Sequence, residues 1–66
     1  MKIFVNGIER EVARQTTITQ LLAELEVTER HVAVEVNLEL VPRAQHAGHQ
    51  LHEDDRLEVV TLVGGG

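Results

Sequence analysis

The chain has 66 residues, 42% of them hydrophobic and 26% charged, with a net charge of −5 and no cysteine. A chain of this length buries only about 60% of the surface its unfolded form exposes, which leaves little room for an enclosed active site. Lack of cysteine excludes disulfides, thiolate metal sites and cysteine nucleophiles, and acidity with Phe4 as the single aromatic argues against nucleic acid.

Lys2–Val5 is a short β-rich run, followed by Asn6-Gly7 and then by residues 8–13, in which Ile8, Arg10 and Val12 alternate with Glu9 and Glu11. Asn-Gly between two such runs predicts a hairpin. Ile18, Leu21, Leu22 and Leu25 then recur at the i, i+3, i+4, i+7 spacing of a helix with one buried stripe, which extends through Glu26. Thr17 is placed to cap it, with Gln20 three residues on as a capping box requires. Residues 31–36 set Val32, Val34 and Val36 on one face of a third strand, and residues 38–41 form a brief strand near an edge, closed by Pro42. Residues 43–55 read as a polar loop with one helical turn, and residues 57–63 as the closing strand. The order ββαβββ predicts an α+β fold, a mixed sheet of about five strands on one main helix. It spans residues 1–63, with residues 64–66 as a flexible tail.

Gly64, Gly65 and Gly66 follow directly on the closing strand. Without Cβ atoms, such a tail is thin enough for a narrow channel and takes whatever dihedrals an enzyme imposes. Its only chemical handle is the Gly66 carboxylate. A frayed end has the same composition, so the tail read alone leaves both readings open. In the register that points Ile3, Val5, Leu57 and Val59 inward, Phe4, Glu58, Val60 and Leu62 share the sheet face away from the helix. Phe4, Val60 and Leu62 are then candidates for a docking patch, which a one-residue slip would bury instead. Arg43, after Pro42, is either a partner contact or an anchor for backbone carbonyls.

His46, His49 and His52 recur every three residues, but Gly48 interrupts a helix there and no carboxylate stands at matched spacing, so solvated imidazoles are expected and no metal site is assigned. Glu53-Asp54-Asp55 lacks the spaced oxygens of a calcium loop. The chain has no serine, which leaves nucleophilic catalysis without support. No apolar run reaches the roughly 18 residues of a membrane span, and residues 1–10 lack the form of a signal peptide, so cytoplasmic residence is the default expectation.

Met1-Lys2-Ile3, Asn6-Gly7, Thr17-Ile18-Thr19-Gln20-Leu21-Leu22, Val34-Glu35-Val36-Asn37, Val41-Pro42-Arg43 and Val63-Gly64-Gly65-Gly66 together resemble the ubiquitin-like β-grasp proteins, and among them the small sulfur carriers of the ThiS family of thiamine thiazole synthesis. The resemblance covers the whole chain, and the Asn37…Val41-Pro42-Arg43 segment is its most discriminating part. One departure is Asp54, where related carriers commonly have glycine in an acidic-Gly-Asp turn; aspartate tolerates the left-handed conformation better than most residues.

The resemblance implies a protein co-substrate, not an enzyme, that binds no cofactor of its own and is a monomer when free. An E1-like adenylyltransferase of ThiF type would use ATP to activate Gly66, sulfur relayed from a cysteine desulfurase would leave a thiocarboxylate, and a ThiG-type thiazole synthase would take up that sulfur. Gly64 and Gly65 would be spacers. No nucleic acid or membrane partner is implied. The molybdopterin-synthase small subunit shares the terminal chemistry, although the Val-Pro-Arg block argues against it. A modifier conjugated to lysines through Gly66 and an interaction domain with an inert tail are the other readings.

Overall fold

The computed structural model describes residues 1–28 and 30–61. Five strands and one helix follow one another along them: β1 (Lys2–Val5), β2 (Ile8–Glu11), α1 (Ile18–Glu24), β3 (Val32–Val36), β4 (Glu39–Val41) and β5 (Arg56–Thr61), with a 3₁₀ turn at Arg43–Gln45. The strands form one sheet in the order β2-β1-β5-β3-β4, parallel between β1 and β5 and antiparallel elsewhere. This is the expected β-grasp.

Asn6 and Gly7 have φ of 51° and 81°, the two left-handed residues that a two-residue hairpin loop requires. The second hairpin, between β3 and β4, turns at Asn37 and Leu38 with φ of 52° and 71°. Leucine in that conformation is strained by about 1 kcal/mol, and this one is 90% exposed.

The capping box is present as expected: the Gln20 N–H donates to Thr17 Oγ1 at 3.2 Å, and the Thr17 N–H donates to Gln20 Oε1 at 2.9 Å. The helix stops at Glu24, two residues before Glu26. Glu26 takes φ of 58°, its N–H donates to Ala23 O at 3.0 Å, and the Val27 N–H donates to Leu22 O at 2.9 Å. That is a Schellman closure with glutamate where glycine is usual, so residue type did not mark the helix end.

Ile18 and Leu21 of α1 are buried with Ile3, Val5, Val12, Val34, Val36, Val41, Leu51 and Leu57 in one core. Leu22, Leu25, Val32 and Val59 pack against it partly buried. Each fully buried aliphatic side chain contributes about 1.5–3 kcal/mol relative to exposure. The inward register of Ile3, Val5, Leu57 and Val59 is as expected. Ile8 is 69% exposed, because β2 is an edge strand and its first residue lies at the turn.

The segment after the 3₁₀ turn is less solvated than its polarity suggests. Ile18 N–H donates to His49 O at 3.1 Å and Thr19 N–H to His46 O at 3.3 Å, so this loop satisfies the first amides of α1, which have no partner within the helix. His46 is buried, with Nε2 2.9 Å from Val41 O, which corrects the expectation of solvated imidazoles at this position. Burial is tolerable because the ring nitrogen donates to a backbone carbonyl.

Candidate functional site: the root of the glycine tail

Gly64, Gly65, Gly66 and Leu62 lie outside the described residues. What is described is the root from which they depart. β5 occupies the middle of the sheet, between β1 and β3. On one side its register with β3 runs from Val36↔Leu57 to Val32↔Thr61, so Thr61 is opposite the first residue of β3. On the other side β1 pairs only at Phe4↔Arg56 and Val5↔Leu57 before the chain turns at Asn6-Gly7.

The parallel ladder there includes Phe4 N–H to Asp55 O and Asn6 N–H to Leu57 O, each 2.9 Å. A further rung comes from a side chain. Asn6 Nδ2 donates to Val59 O at 3.1 Å, and Asn6 Oδ1 accepts from Val59 N–H at 2.8 Å. The carboxamide reproduces the donor and acceptor of a peptide group.

The opposite end of β5 is held by Asn37 and Asp55. Asn37 N–H donates to Arg56 O at 2.7 Å, Asn37 Oδ1 accepts from Arg56 N–H at 3.0 Å, and Asn37 Nδ2 donates to Asp55 Oδ1 at 3.0 Å. Asp55, buried, also accepts the His52 N–H at 2.8 Å through Oδ2. Asp54 has φ of 67°, the left-handed conformation that glycine at this turn would take at no cost, and its N–H donates to Lys2 O at 2.7 Å.

Of the docking candidates, Phe4 is half-buried and Val60 is 50% exposed. Alternation along β1 and β5 puts both on the sheet face away from α1, but they are not neighbours. Phe4 lies at the level of Arg56, and Val60 is four residues further along β5, about 13 Å away at 3.3 Å per residue. The guanidinium of Arg56 stands 4.5 Å and the Lys2 ammonium 5.5 Å from the centroid of the Phe4 ring, so cations cover the phenyl face. Beside the tail root the same face presents Val60 opposite Ala33, then Glu58 directly opposite Glu35.

The Arg43 guanidinium donates to the Arg30 carbonyl, two residues before β3 begins. It therefore tethers the entry to the strand that flanks Thr61. His49 and His52 line an open cleft with Glu39 and Asp55. Among the described residues no group of three or more such side chains is disposed to hold a metal ion, and no helix is long and apolar enough to cross a membrane.

In the sequence Asn6 reads only as a turn former, and Asn37 only as a turn former and part of a motif. No local pattern signals that these side chains bond to backbone 53 and 19 positions away.

A family model described as the ThiS family matches residues 3–66. Over all 66 residues the chain is 46% identical to a thiazole synthase of Paramagnetospirillum magneticum and 41% identical to one of Magnetococcus marinus, and it spans 20% of the length of each. It is 29% identical to the sulfur carrier protein ThiS of Escherichia coli, covering 100% of both chains. The crystal structure of the thiamine biosynthesis protein ThiS from Geobacter metallireducens matches with a TM-score of 0.85 and 32% identity, again covering 100% of each chain.

Proposed function

The chain belongs to the ThiS family of sulfur carriers in thiamine biosynthesis, and from that premise we propose that its Gly66 carboxylate is the atom group that carries the sulfur. The observation that bears most on this is the reach of the family match through residue 66, together with a central strand whose described register with β3 runs to Thr61. Lack of cysteine agrees with it, since no thiol in the chain offers another place for sulfur.

An ionised carboxylate is a poor acyl donor and needs activation. A Gly66 oxygen attacks the α-phosphorus of ATP in a ThiF-type adenylyltransferase, forming an acyl-adenylate as pyrophosphate leaves. A persulfide derived from a cysteine desulfurase attacks the acyl carbon, so that the C–S bond forms as AMP departs. A thiol then cleaves the S–S bond, becoming part of a disulfide, and the sulfur stays on the carrier as a thiocarboxylate. A ThiG-type thiazole synthase accepts that sulfur for the thiazole ring; two relatives that bear the name thiazole synthase contain a stretch similar to this chain. The chain is a recycled co-substrate in this scheme, and ATP is a substrate of the partner.

Docking falls to the face around Val60 and Ala33, next to the tail root, with Phe4 and Leu62 as further candidates. Glu58 and Glu35 give it an acidic border suited to a basic partner surface. Intact-mass measurement of the carrier from cells that retain the pathway tests the proposal. An oxygen-for-sulfur mass gain confined to a terminal peptide containing Gly66 is the expected result. Conjugates on lysines of other proteins, or an unmodified terminus in every growth condition, would refute it.

A further inference from the structure

The rung between Asn6 and Val59 occurs where the β1–β5 ladder has run out of main chain. Backbone groups of successive strand residues point to alternate neighbours, and Phe4 N–H to Asp55 O and Asn6 N–H to Leu57 O show that the odd residues of β5 face β1. Val59 is next in that series, but the chain of β1 has already turned away at Asn6-Gly7. The Asn6 carboxamide fills the gap with both a donor and an acceptor, 3.1 Å and 2.8 Å from Val59 O and N. A hairpin turn alone needs neither bond, since Gly-Gly satisfies the same dihedrals.

We propose that Asn6 is a positioning residue for the glycine tail: its side chain holds Val59 against β1, so the chain toward Gly66 starts from a root fixed on both sides. Without the rung, the last residue held from the β1 side is Leu57, and the segment from Val59 onward is guided by β3 alone. The tail would then enter a partner's channel from a root held on one side only, and a larger share of encounters would leave the carboxylate misaligned. The inference rests on the reading of Gly66 as the reacting terminus and adds the residue that aims it.

Asn6→Gly is the test, because glycine keeps the turn and removes both bonds. Two readouts are needed on the full chain: hydrogen exchange of the Val59 amide, and single-turnover pyrophosphate release with the ThiF-type enzyme and ATP, alongside the dissociation constant of the carrier for that enzyme. The expected result is faster exchange at Val59 with adenylation slowed about threefold or more at unchanged affinity. Unchanged exchange would overturn the proposal, as would faster exchange with adenylation at the wild-type rate. Weakened binding at an unchanged rate would overturn it too, since Asn6 would then be a docking contact. Should Asn6→Gly fail to fold, Asn6→Asp serves for adenylation and affinity alone: it keeps the turn preference and the acceptor of the Val59 N–H and loses the donor to Val59 O, so slower adenylation at unchanged affinity is expected and the wild-type rate would overturn the proposal. Absence of adenylation in the wild-type carrier would sink the reading of Gly66, while the exchange measurement would still decide whether the rung holds the root.

Discussion

Replacing Asn37 with glycine isolates the two side-chain bonds that tie the β3–β4 turn to the start of β5. Glycine accepts the left-handed conformation, at φ of 52°, so backbone strain does not enter. Lost are the bond from Nδ2 to the buried Asp55 carboxylate and the bond from Arg56 N–H to Oδ1, both 3.0 Å. A neutral hydrogen bond contributes about 0.5–1.5 kcal/mol net and one to a charged group about 1.5–3 kcal/mol. The first is partly buried and the second exposed, so the lower halves of these ranges apply, for a total of about 2–3 kcal/mol. In a domain of 66 residues, 1 kcal/mol corresponds to a shift of about 7 °C in Tm, so the variant should melt about 14–21 °C lower. Calorimetry or circular dichroism on heating measures this, and urea titration checks that the m-value is unchanged. A drop of less than about 5 °C would refute the assignment of these bonds as the reason for asparagine at this position.

Thr17→Ala removes one half of the capping box and should cost about 1 kcal/mol, read as a lower urea midpoint at constant m-value. Leu38→Gly should raise stability by about 0.5 kcal/mol, since a leucine that is 90% exposed at φ of 71° loses little packing and sheds backbone strain; a lower Tm would show that Leu38 makes contacts that offset it. Gly65→Val is expected to melt with the wild-type protein yet release no pyrophosphate with the adenylating enzyme; wild-type release would contradict a narrow channel.

Local chemistry in the sequence carries the hairpin at Asn6-Gly7, the cap at Thr17 and the inward alternation of β1, β3 and β5. Each depends on residues within a few positions of one another, where spacing and intrinsic preference decide the outcome. The helix end at Glu24, the burial of His46 and the roles of Asn6 and Asn37 were settled by the tertiary structure. Glu26 closes the helix in a conformation its residue type disfavours, and His46 is inside because the loop bearing it supplies carbonyls to the start of α1. Asn6 reads as a turn residue until β5, 53 positions later, is laid beside it, and only then do its amide and carbonyl meet the backbone of Val59. Hydrogen bonding between such distant positions has no period or spacing along the chain. It exists because the parallel pairing of the first and last strands brings them together.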